Sequence, residues 1–119
     1  MRKFVLILAI AFSCIGFMTI HAASWYWIGA DTSGGQWYVD NQSAQKSYSI
    51  ATIWVKRIEE NGSYTVTLEE ITRDHKEALV QVIRYDANGH VVSSWNAPFK
   101  EYSVIVPESM GEAIYNSVW

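Results

Sequence analysis

Three features of the sequence predict an α+β domain: a twisted antiparallel β-sheet of about six strands with one C-terminal α-helix packed on one face. Short β-branched and aromatic runs separated by turn residues fill the chain from Ser24 to Val106. Two of the separators, Glu59-Glu60-Asn61-Gly62 and Asp86-Ala87-Asn88-Gly89, contain the Asn-Gly pair that closes tight hairpins. Helical periodicity is confined to the end of the chain, after Pro107.

The first 22 residues read as a secretory signal. Arg2 and Lys3 precede an apolar run from Phe4 to Ile20, and Ala22 offers a small residue for cleavage. A retained membrane anchor is the rival reading. Lipidation at Cys14 is disfavoured, because Ala11-Phe12-Ser13 lacks the leucine of a lipobox. Residues 23–119 are then one domain, with seven basic side chains against twelve acidic ones. That balance, with no basic cluster longer than Lys56-Arg57, argues against nucleic acid as a partner. The only cysteine lies in the leader, so the exported domain is disulfide-free and its core must suffice alone.

Trp25-Tyr26-Trp27-Ile28 and Trp37-Tyr38-Val39 flank the turn Asp31 to Gly35 and form a first hairpin. Residues 47–58, SYSIATIWVKRI, have too few helix formers to be a helix and read as a central strand. Beyond Asn61-Gly62, Tyr64, Val66 and Leu68 alternate with threonines, the pattern of a half-buried strand. Asp74 to Glu77 reads as a charged break, with strands following over 78–85 and 90–95. Residues 96–102 are an irregular return and 103–106 a short edge segment.

Ser109 is placed to cap the terminal helix, with Glu112 three residues on to close a capping box. Met110, Ala113, Ile114, Ser117 and Val118 then form one narrow stripe, the side expected to dock on the sheet. A helix this short is marginal in water and needs that docking.

Several fragments in order, Tyr38-Val39-Asp40, Ile53-Trp54-Val55-Lys56, Tyr85-Asp86-x-x-Gly89 and Val106-Pro107-x-Ser109-x-Gly111-Glu112-Ala113-Ile114-Tyr115-Asn116, resemble the bacterial surface-adhesin protein E family. The resemblance spans nearly all of residues 23–119 and implies a sheet with a C-terminal helix on its concave side. It also implies binding of host extracellular-matrix or plasma proteins, with haem as an associated ligand. The family's helix-to-sheet disulfide is missing: its two positions correspond to His75 and Trp119. Trp119 either packs on the sheet in partial replacement or, lying off the apolar stripe, is offered to a partner.

Catalysis has no obvious parts. Only His75 and His90 remain after the leader, and there is no Gly-x-Ser-x-Gly or His-Glu-x-x-His pattern, so an enzyme is not expected. Asp74, His75 and Glu77 read as a solvated turn rather than metal ligands, and Asp86-x-Asn88-Gly89 as a hairpin turn rather than a calcium loop. Glu69, Glu70 and Glu77 are expected on a wet surface. The candidate partner-binding residues are Trp25 and Trp27, on one strand face, with Trp54, Lys56 and Arg57. The two indoles form either a ligand wall or part of the core. The lysine and arginine either guard a sheet edge or meet an acidic patch.

Two functions from different classes follow. One is an exported binding module that engages a host protein through an interface. The other is a periplasmic carrier of a small apolar ligand such as haem, held between sheet and helix with His75 or His90 as ligands. A homodimer formed through a sheet edge is a third, blander arrangement.

Overall fold

The computed structural model describes residues 24–119. The leader expected over residues 1–22 and the single cysteine, Cys14, lie outside them. Among the described residues eight strands form one antiparallel sheet, and one α-helix ends the chain. The long strands are β1 (Trp25–Ala30), β2 (Gln36–Asp40), β4 (Ile50–Ile58), β5 (Tyr64–Thr72), β6 (Lys76–Tyr85) and β7 (Val91–Asn96). They pair in the order β1-β2-β4-β5-β6-β7. Two short strands lie off that path: β3 (Gln45–Lys46) pairs with β4, and β8 (Ser103–Val104) pairs with β6.

The turns are closed by the side chains the sequence places in them. In the β1–β2 turn, one Asp31 carboxylate oxygen accepts from the backbone N–H groups of Ser33 and Gly35, both at 2.9 Å. Asn61 Oδ1 does the same for Ser63 N after β4, and Asp86 Oδ1 accepts from Asn88 N and His90 N after β6. Two expected boundaries move. The central strand starts at Ile50 rather than 47, because Ser47 N donates to Ile50 O at 2.8 Å and folds residues 47–50 into a turn that returns β3 onto β4. The charged break shrinks to a turn that His75 completes in the left-handed region, at φ 67°, and β6 resumes at Lys76.

Directly paired residues share a sheet face, so the register sorts the side chains. Ala51, Ile53 and Val55 of β4 lie on the same face as Val39 of β2 and Ile71 of β5. Helix α1 (Met110–Val118) docks there, and Ile114 and Val118 join those five side chains and Ile105 in the core cluster. The helix stripe is thus seated as its period implies: Ile114 and Val118 are buried, and Met110 and Ala113 are half-buried.

The cap differs in one detail from the expected box. Ser109 Oγ accepts from Glu112 N at 3.3 Å, but the Glu112 carboxylate accepts from Glu108 N at 2.9 Å, one residue before the cap. Glu108 sits at φ 62°, and the Ser109 N–H donates instead to Val106 O at 3.3 Å.

Candidate functional site: an open aromatic face and a cavity under the helix

The face of the sheet opposite α1 is the less expected half of the structure. Trp54 and Lys56 of β4 point there, and the register adds Tyr38 of β2, Trp25 and Trp27 of β1, and Tyr64, Val66 and Leu68 of β5. Ile83 and Tyr85 of β6 extend it. No helix or strand of the described residues packs over this surface. Only the return between β7 and β8 wraps one corner, where Lys100 Nζ meets Glu70 at 2.8 Å and Tyr102 donates its hydroxyl to the same carboxylate. Burial alone would raise the Glu70 pKa, but these two partners outweigh it and hold the carboxyl below its ordinary value.

Lys56 is the one cation in the middle of this aromatic field. Its ammonium lies 4.5 Å from the Tyr64 ring centroid and 5.3 Å from that of Trp25. Partial burial pushes its pKa down. Tyr64 in turn stacks on Tyr85 with centroids 4.6 Å apart, and Trp27 Nε1 donates to Gln36 Oε1 at 2.8 Å. The indoles of Trp25 and Trp27 therefore belong to a surface, not to the core cluster, and Trp27 is 55% exposed.

Arg57 is parted from this group. It points to the helix side at the end of β4, where its Nε donates to Asp31 Oδ2 at 2.7 Å and its Nη1 pairs with Glu59. Trp37 Nε1 donates to the same Asp31 oxygen at 2.8 Å. The Arg57 guanidinium, and then the Trp37 indole, hold the Asp31 carboxyl well below the usual range. Since β4 is central, neither Lys56 nor Arg57 guards an edge.

The helix does not cover its whole face. Between α1, β5, β6 and the return after β7 lies a cavity of about 440 Å³. Its walls are Trp37, Leu79, Trp95, Phe99, Met110 and Ile114, and its polar groups include the carboxylates of Glu69 and Glu77. The wet-surface expectation for Glu69, Glu70 and Glu77 is corrected here. Glu69 and Glu70 are only 8% and 5% exposed, and Glu77 is half-buried. The cause is tertiary: Glu69 pairs with Ile53 on the helix face, beneath residues that arrive from five other elements. Burial, followed by the nearby Glu77 charge, raises the Glu69 pKa to about 7. Glu69 accepts one bond, from Thr67 Oγ1 at 3.3 Å, and no ion pair among the described residues reaches it.

The two histidines lie apart from this cavity. His75 stacks on Tyr115 of α1 with ring centroids 4.0 Å apart, and Tyr115 donates its hydroxyl to Arg73 O at 2.8 Å. His90, exposed in the β6–β7 hairpin, stands 3.5 Å from Asp86. Neither lines the cavity, so the ring nitrogens expected to ligate haem are not gathered there. Trp119 packs against the core cluster, with the Arg73 guanidinium 4.2 Å and the Lys46 ammonium 5.5 Å from its ring centroid. Lys46 Nζ also donates to Val118 O at 3.0 Å. Of the two readings of Trp119, packing is therefore the one seen. The sequence gives no sign of the cavity, since Glu69, Trp37, Trp95 and Phe99 meet only through tertiary contacts.

No family model, curated protein or solved structure matches this chain.

Proposed function

We propose that this is an exported binding module that recognises a partner protein through its open sheet face. The observation that carries the reading is that Trp25, Trp27, Trp54 and Lys56 share one aromatic face that no helix or strand of the described residues covers. Tryptophan and tyrosine are among the side chains that dominate protein interfaces energetically. The class of partner, a host extracellular-matrix or plasma protein, rests on the resemblance to the surface-adhesin protein E family. The test is equilibrium binding of the purified protein to immobilised laminin and vitronectin at low and high salt. Saturable binding is expected, weakened about tenfold or more by Trp27→Ala and by Lys56→Glu. Absence of binding at tens of micromolar by protein with a folded circular-dichroism spectrum overturns the partner class.

A second reading, a carrier of a small ligand between sheet and helix, is favoured by the cavity under α1. Its volume of about 440 Å³ lies within the range of small-molecule sites, and most of its walls are apolar.

A further inference from the structure

We propose that the cavity under α1 takes an organic ammonium ion, a protonated amine on an apolar or aromatic stem. The charge sits against Glu69 and Glu77, and the stem lies among Trp37, Trp95 and Phe99. This rests on the reading that the cavity holds a small ligand, and names the class of that ligand.

The argument starts from a cost. Glu69 is only 8% exposed, and its carboxylate has one weak donor, Thr67 Oγ1 at 3.3 Å. A buried carboxylate with unfilled acceptor positions is unfavourable unless something pairs with it. Among the described residues no cation pairs with it. Arg57, in the adjoining trough, is engaged by Asp31 and Glu59, and Arg84, from the same trough, makes no ion pair with Glu69. The other titratable groups on the cavity, Glu77 from β6 and Glu101 from the return, are acidic. Glu77 is held close beneath the helix: a Cβ at Gly111 would lie 3.1 and 3.2 Å from its two carboxylate oxygens. The field in the cavity therefore favours positive charge from outside.

The walls decide what kind of cation. A divalent metal ion requires about six oxygen ligands, whereas most of this lining is indole, phenyl, thioether and aliphatic carbon. Aromatic faces beside a carboxylate are instead the environment of ammonium groups, drawn by both the ring quadrupole and the ion pair. A neutral ligand of the same shape would fill the space and leave Glu69 unpaired, so the charge is the discriminating feature. A Glu69 that carries a proton in the empty cavity loses it to solvent when the ammonium binds. The carboxylate and the ammonium then form the pair, and the proton appears in the buffer, about half a proton per ligand bound at pH 7.

The probe is phenethylamine, compared with its neutral near-isostere 2-phenylethanol, by calorimetry on the purified protein. Titration at pH 7 in two buffers of different ionisation enthalpy counts the released proton. The ammonium is expected to bind about tenfold or more tightly than the alcohol, with proton release. Glu69→Gln brings its affinity down towards that of the alcohol and abolishes the release, while alcohol binding stays unchanged and reports an intact cavity. Glu77→Gln serves as the second variant and lowers ammonium affinity alone. Equal affinity for amine and alcohol overturns the ammonium assignment and leaves the small-ligand reading standing. Failure of both probes to bind at millimolar concentration overturns the two together.

Discussion

Replacing Glu69 by Gln should change how stability depends on pH. In the unfolded chain this carboxyl titrates near its ordinary 4.5, and in the folded domain near 7. Between those values the folded state holds a proton that the unfolded state has released. Stability therefore falls as pH rises through this window and levels off above it. The gap of about 2.5 pH units corresponds to about 3 kcal/mol at 1.36 kcal/mol per unit, for a group almost wholly removed from water. Urea unfolding of both proteins from pH 4.5 to 8.5 isolates the effect, because most other titrating groups cancel in the difference. The glutamine variant should gain about 3 kcal/mol on the wild type between the two ends of the range, a difference in Tm of about 10 °C or more. Depressed carboxyls such as Asp31 act with the opposite sign and are common to both proteins. If the two curves stay parallel throughout, Glu69 is not desolvated in the folded state and the account of the cavity fails with it.

Three further outcomes follow from the packing. Ile114→Ala, which removes a side chain only 2% exposed between helix and sheet, should cost about 2–5 kcal/mol in chemical denaturation. Asp31→Asn should lower Tm at neutral pH and cost progressively less as pH falls below the ordinary carboxyl value of 3.8, since a depressed pKa stabilises only where the group is charged. Trp119 carries the one buried side-chain nitrogen or oxygen among the described residues that lacks a hydrogen-bond partner, its Nε1. Trp119→Phe should thus be nearly neutral in Tm, because it removes an orphaned donor with the lost ring area, whereas Trp119→Ala should be clearly destabilising.

The order of the elements was legible because each rests on local chemistry. The Asn-Gly hairpins, the Ser109 cap and the Ile114–Val118 stripe are properties of a few adjacent residues, and the structure keeps each of them. What a period of two does not reveal is which face of a strand becomes covered. In β5, Tyr64, Val66 and Leu68 are the apolar set, yet the helix side receives Thr65, Thr67 and Glu69. One nine-residue helix cannot roof an eight-strand sheet, so it sits over Val39, Ala51, Ile53, Val55 and Ile71 and leaves the rest. Irregular pairing between Leu68 and Glu69 adds a shift: Leu68 opposes Gln81 while Glu69 opposes Leu79, so Val80 is the extra residue. That phase change is invisible in the apolar run ALVQVI and helps to bring Leu79 to the cavity.

The two surfaces follow from one shortage. The described residues carry one α-helix and no cysteine and hold nine buried hydrophobic side chains, so large apolar side chains beyond that core stay partly or wholly at the surface. A sheet whose second face were only solvated would place threonine, lysine and glutamate there. This one instead carries Trp25, Trp27, Tyr38, Trp54, Tyr64 and Tyr85 around Lys56. Scattered apolar residues on a surface need no explanation, but a contiguous field of this kind is costly in water unless something covers it. Meanwhile the helix is fixed at its far end by means other than a disulfide. His75 stacks on Tyr115, Tyr115 reaches Arg73 O, and Trp119 lies against Arg73 and Lys46. These contacts anchor the C-terminal half of α1, while its first turn, with Met110 and Gly111, borders the cavity. A helix held at one end and lined with unfilled space at the other is the arrangement in which a ligand can be seated without unfolding the sheet. Occupation of the cavity should therefore raise stability through the contacts of Met110 and Ile114 and leave the open face unchanged.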